Sequence, residues 1–272
     1  MHLSALHIYP VKSCRGLSVK SAPVDDHGLV GDRRFMVVGE TDGLFLTQRT
    51  QPRMALIETT LTKDTLLLSS PQHSSVVVPL DASYGERPVT VWKSTVTADD
   101  CGDEPAKWLS RFLGRPLRLV RIGGAFHRPV KPSKAQPGDV VSFADAYPFL
   151  VISEASLNDL NARLTTPLPM NRFRPNFVVA GGEPYAEDQW GQFTIGSVIF
   201  RNAGPCARCV VTTTDQLTAA RGKEPLKTLA TYRRDPVDPT DVNFGTNLIH
   251  ETKRGTIRVG DKIALLPAKR HR

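Results

Sequence analysis

The sequence has no apolar run approaching the roughly 20 residues that a membrane-spanning helix requires, so no membrane partner is expected. It also lacks internal repeats and low-complexity stretches. Cysteine is scarce, with four in 272 residues, which excludes a disulfide framework. The opening MHLSALHIYPVKSC has no basic leader, and its apolar stretch is broken by His7 and Pro10. That argues against a secretory signal and leads us to expect a cytoplasmic protein. Zinc-finger, RNP-like and helix-turn-helix patterns are missing, so no nucleic acid partner is expected either.

The composition is 40% hydrophobic and 23% charged, which is ordinary for a folded chain and excludes wholesale disorder. A net charge of +8 points to an anionic ligand or partner. The basic residues are dispersed, apart from the tail at Lys269, Arg270 and Arg272.

Short apolar and β-branched runs recur through the first hundred residues. Strands are predicted at Leu17–Val24, Arg34–Val38, Leu44–Thr47, Met54–Leu61, Thr65–Leu68, Ser75–Pro79 and Val89–Trp92, with a hairpin turn at Thr41-Asp42-Gly43. A helix over Asp103–Leu113 follows from the spacing of Ala106, Trp108, Leu109, Phe112 and Leu113, stopped by Gly114. A strand at Leu117–Ile122 leads into a Gly- and Pro-rich stretch, Gly123 to Gly138, which reads as a boundary or lid. Beyond it, a helix from Ser153 to about Arg163 precedes strands at Asn176–Val179, Phe193–Phe200, Cys209–Thr213 and Val242–Ile249. A final strand pair turns at Gly260-Asp261. Many strands and few helices predict a mostly β barrel or sandwich.

Cys206 and Cys209 form a C-x-x-C after Gly204-Pro205. Structural zinc needs four ligands, and no second pair accompanies this one. A thioredoxin-like dithiol sits at a helix N-terminus, yet the five residues after Cys209 are all β-branched. A third reading makes the pair the source of one soft thiolate for a metal, with Arg208 favouring the charged sulfur. A fourth is a pair that merely packs. Spacing alone leaves these open.

The surrounding residues resemble the MOSC family of molybdenum-cofactor proteins, in the branch that contains the amidoxime-reducing components. The matching stretches run from Ile8-Tyr9-Pro10-Val11-Lys12-Ser13-Cys14 through Asp32-Arg33-Arg34-Phe35 and Thr47-Gln48-Arg49. They continue with Ser153-Glu154-Ala155-Ser156, Asn171-Arg172-Phe173-Arg174-Pro175-Asn176, Tyr185–Trp190, Cys206–Cys209 and Val259-Gly260-Asp261, in family order. The resemblance implies an N-terminal β-barrel domain over 1–122, a MOSC domain over 123–268 and a basic tail at 269–272.

It further implies a pterin-held molybdenum cofactor bound by Cys209, with Lys12, Ser13 and Arg34 gripping the pterin phosphate. Arg174, Asn176, Cys206, Ala207, Arg208 and Asn247 are implied as further cofactor contacts, Asn247 standing where some relatives carry tyrosine. Asp145 is implied near the cofactor, as a candidate proton relay. The implied activity is reduction of small N-oxygenated compounds. The alternative is a cofactor carrier or sulfur-transfer protein without turnover. No C-x₄-C-x₂-C spacing for an iron–sulfur cluster is present. Electrons are therefore expected from a separate ferredoxin, flavodoxin or cytochrome with its reductase.

Overall fold

A computed structural model describes residues 1–71, 73–131 and 133–267; the basic tail expected at 269–272 lies outside them. Strands dominate, with three α-helices among the described residues: α1 (Asp103–Leu113), α2 (Glu154–Ala162) and α3 (Leu226–Leu229). The mostly β reading therefore holds.

The largest sheet has eight strands. At its centre Phe149–Ser153 pairs in parallel with Phe177–Ala180, and α2 lies in the connection between them. On one side follow Asn243–His250, the long Val198–Ala207, Gln192–Ile195 and Ile263–Leu266. On the other, His2–Ile8 pairs antiparallel with Phe177–Ala180 and carries Leu17–Val19 at the edge. Ser21–Asp25 likewise pairs with Gly255–Arg258. The first 25 residues are thus built into the sheets of the second half.

Two further sheets belong to the first half. One runs Phe35–Gly39, Leu117–Arg121, Ser94–Asp100, Glu86–Val91; the other joins Glu58–Leu61, Thr65–Ser70 and His73–Pro79. Helix α1 buries Trp108, Leu109, Phe112 and Leu113 against Leu117, Leu119 and Leu66. Its end is set by Gly114, whose φ of 76° is the left-handed cap glycine supplies without steric cost. The core of the large sheet is aromatic: Phe149, Phe177, Phe193 and Phe200 are fully buried, with Phe149–Phe200 centroids 5.2 Å apart.

Several expected elements differ. Cys209–Thr213 is not a strand. Val210–Thr213 forms a 3₁₀ turn, because Thr212 and Thr213 donate their hydroxyls to the carbonyls of Cys209 and Val210, three residues back. Met54–Leu61 opens as a 3₁₀ turn, Pro52–Leu56, and becomes a strand only at Glu58. Leu44–Thr47 makes isolated bridges rather than a strand. The strands His2–Ile8 and Ser94–Asp100 were not anticipated.

The stretch after Gly123 is no loose lid. Arg128 and Val130 are buried in it, and Asp139 binds both Arg201 and Lys253.

Candidate functional site

A cavity of about 360 Å³ opens where the two halves meet. Ten of the eleven residues implied above line it; Arg34 does not. Its walls carry six cations, Lys12, Arg33, Arg49, Lys131, Arg174 and Arg208, against one carboxylate, Asp145. Such a lining selects anions.

Arg34 turns the other way, donating to Asp25 at 2.6 Å and to the Leu29 carbonyl. Its neighbour Arg33 takes the place expected of it. Arg33 has φ 49°, a left-handed kink that turns its side chain inward just before the strand begins. There it donates to buried Asp32 at 2.6 Å and to Asn176 Oδ1 at 3.0 Å.

Tyr9 organises this wall. The guanidinium carbons of Arg33 and Arg174 each lie 4.3 Å from its ring centre. Its hydroxyl donates to the Pro175 carbonyl at 3.0 Å, and burial pushes that hydroxyl up to about 12. Burial also lowers Arg174 to about 10, with Tyr9 opposing. Arg174 lines the cavity and, among the described residues, makes one long side-chain bond, 3.4 Å to Gln216, which leaves most of its five donors unused. Asn176 is the reverse case. Its oxygen accepts from Arg33 and from the Leu150 amide, and its nitrogen donates to the His7 carbonyl, so it braces the wall.

Lys12 is buried and donates to the Phe143 carbonyl at 2.7 Å and to Asp145. Burial lowers its amine to about 8, against the pull of Asp145. Asp145 also accepts from Arg49 at 3.1 Å and from the Trp92 indole at 3.3 Å. Burial would raise its carboxyl, but Lys12 and Arg49 outweigh it and hold it far below the usual carboxylate range. Because 53% of its side chain stays open to the cavity, screening limits what these pairs add to stability. Held ionised, Asp145 is an anion in the wall, while the Lys12 amine beside it titrates at about 8.

The loop around Asp145 is gripped from behind. Arg128 donates to the carbonyls of Ser142, Ala144 and Asp145, while Lys12 takes that of Phe143. Ser13, in the left-handed region at φ 66°, lines the cavity and accepts on its carbonyl from Gln48.

The two cysteines part company. Arg208 donates to Cys206 Sγ at 2.9 Å and to the Phe173 carbonyl at 2.6 Å. Cys209 lies against Arg49, which Asp145 and Cys209 together keep charged despite its burial. Ala207 is exposed at the rim, and Asn247 donates to the Pro205 carbonyl at 3.0 Å. Cys14 and Cys101 are buried elsewhere, and burial pushes both thiols up to about 12. No cluster of three or more His, Cys, Asp or Glu able to hold a bare ion exists among the described residues. The structural-zinc reading therefore has no ligand set there. Arg33 and Arg49, both missed as site residues, lay inside the motifs Asp32–Phe35 and Thr47–Arg49.

The MOSC N-terminal beta barrel domain matches residues 1–116 and the MOSC domain residues 138–264. Among curated proteins, mitochondrial amidoxime-reducing component 1 of Homo sapiens is 36% identical, over 97% of this chain and 82% of its own length. The Mus musculus protein of that name is 39% identical with the same coverage. A molybdenum cofactor sulfurase of Danio rerio is 36% identical over 93% of this chain, which spans 32% of that larger protein.

Proposed function

The chain belongs to the MOSC family, with both the N-terminal β-barrel domain and the MOSC domain, and from that premise we propose that it is a molybdenum-cofactor oxidoreductase that reduces N-oxygenated compounds. The observation that carries this reading is a cavity ringed by six cations that holds both Cys206 and Cys209, with Arg208 bonded to the first sulfur and Arg49 beside the second. A soft thiolate suits molybdenum, and a guanidinium-rich wall suits a pterin phosphate. The donor set fits, since Arg174 keeps unused donors and the buried Arg208 Nε has no partner.

In this reading Cys209 ligates the metal, and Arg33, Arg174 and Lys12 hold the anionic end of the pterin. Asn176 and Tyr9 lock the two arginines in place. Asp145 fixes Lys12 and Arg49 by charge. The bound molybdenum centre would supply the two-electron chemistry. In the reaction the N–O bond breaks, two electrons and two protons are consumed, and the products are the reduced nitrogen compound and water. The electrons would come from a separate redox protein, since the sequence carries no C-x₄-C-x₂-C spacing for an iron–sulfur cluster.

The test is expression in a cofactor-competent host, followed by molybdenum and pterin analysis and an assay with reduced viologen and an N-hydroxylated amidine. Bound molybdenum with turnover supports the reading; neither, in folded protein, ends it. The sulfurase relative favours a second reading, a cofactor carrier, which predicts bound cofactor and no turnover. The cytoplasmic placement stands beside relatives named for mitochondria, and fractionation of source cells decides it.

A further inference from the structure

The hairpin between Glu86–Val91 and Ser94–Asp100 turns through two residues, Trp92 and Lys93, with Val91 opposite Ser94. Trp92 has φ 57°, at the turn position that glycine fills without steric cost. A large aromatic held in that conformation signals a use. Packing is not the use, for Trp92 is 43% exposed while Trp108 and Trp190 are 6% and 5%.

Its contacts run toward the cavity. The indole N–H donates to Asp145 Oδ1, the Arg49 guanidinium lies 4.5 Å from the ring centre, and the Phe45 ring tilts against it at 5.1 Å. Arg49 in turn adjoins Cys209. The exposed indole therefore touches two residues of the cavity wall, Asp145 and Arg49, and is one residue away from the Cys209 sulfur.

We propose, resting on the function given above, that Trp92 is a specificity-determining wall of the substrate entrance. It selects N-oxygenated compounds that carry a flat, conjugated group beside the reacting nitrogen. The cationic cavity accommodates the anionic cofactor, and substrate is left the rim. There an aromatic face rewards a flat partner through buried apolar area and ring–ring contact. A short alkyl group offers no matching face. The gain is that of one apolar contact, about tenfold in kcat/KM.

Of the three tryptophans only Trp92 is exposed, so the part of the emission of the cofactor-loaded protein that is lost in Trp92→Leu reports on it. Benzamidoxime and acetamidoxime serve as aryl and alkyl probes. The expected result is saturable quenching by benzamidoxime, weak quenching by acetamidoxime, and loss of the saturable signal in Trp92→Leu. Trp92→Phe, which keeps an aromatic face, retains benzamidoxime binding by calorimetry. In turnover, Trp92→Leu raises the ratio of aryl to alkyl KM about tenfold. Unchanged benzamidoxime affinity in Trp92→Leu, folded by circular dichroism, overturns the proposal. Saturable quenching without turnover of either probe overturns the reductase reading and supports the Trp92 site.

Discussion

Arg208 donates to the sulfur of Cys206, at 2.9 Å, and Arg49 attends Cys209 instead. Two cysteines three residues apart thus face different cations, which breaks the symmetry of the C-x-x-C. Cys206→Ser is expected to keep a measurable part of the bound molybdenum and activity, and Cys209→Ser to lose both. Metal analysis of the two folded variants decides; equal losses would show a dithiol or a shared site.

Arg33, not Arg34, lines the cavity in this geometry, and in the proposed reading it grips the anion. Arg33→Lys keeps a charge beside Asp32 but removes the planar fork, and is expected to lower pterin occupancy several-fold. Arg34→Ala removes a partly exposed pair with Asp25, costs about 1 kcal/mol or less, and leaves occupancy unchanged. Pterin per protein after purification checks both, and a larger loss from Arg34→Ala would reverse the assignment.

Lys12 makes anion binding depend on pH. Its amine, lowered from 10.5 to about 8, is charged below that point and neutral above it. Affinity of cofactor-free protein for pyrophosphate should therefore fall as pH rises through about 8, by calorimetry. Stability moves the opposite way. Between about pH 8 and 10.5 the unfolded chain binds the extra proton, so this residue's contribution to folding rises with pH in that window. Asp145 acts at the acid end: its pairing stabilises above the ordinary carboxylate range and is lost as acid protonates it. A pyrophosphate affinity flat from about pH 7 to 9.5 would remove Lys12 from the anion site.

Arg128 satisfies three carbonyls at once. Arg128→Met keeps the apolar stem but strands those carbonyls, at a cost of about 3 kcal/mol. Thermal unfolding should fall by about 6–12 °C. Reductase activity should fall further than stability explains, since Asp145 lies in the released loop.

Electron supply gives the last prediction. NAD(P)H alone should produce no turnover, and reduced viologen or an added ferredoxin- or cytochrome-type partner should. If the positive charge steers an acidic donor, the rate with that protein falls as salt rises, while the viologen rate changes little.

Local signals were the legible ones. Helix α1 spans its expected Asp103–Leu113 because periodicity and a terminal glycine agree there. Most of the cavity residues stand in the short motifs quoted from the sequence, whereas Asp145, Asn247 and Lys131 stand outside them. Arg33 and Arg34 could not be told apart, because a left-handed φ at one residue decides which side chain faces inward. Cys209–Thr213 misled because β-branched propensity was overridden by two threonine hydroxyls bonding back to the chain. Trp92 gave no signal, since its meaning depends on Asp145, 53 positions away.

A strand made early is used late. His2–Ile8 leaves the ribosome early, yet its partner on the large sheet is Phe177–Ala180; Ser4 bonds to Val178, 174 positions on. At about 5–20 residues per second, the wait is on the order of ten to thirty-five seconds. Through it, Leu3, Leu6 and Ile8, buried in the finished protein, are exposed to any sticky neighbour. Nascent chains stalled before about residue 177, with this strand still unpaired on that side, should be the ones that recruit chaperones.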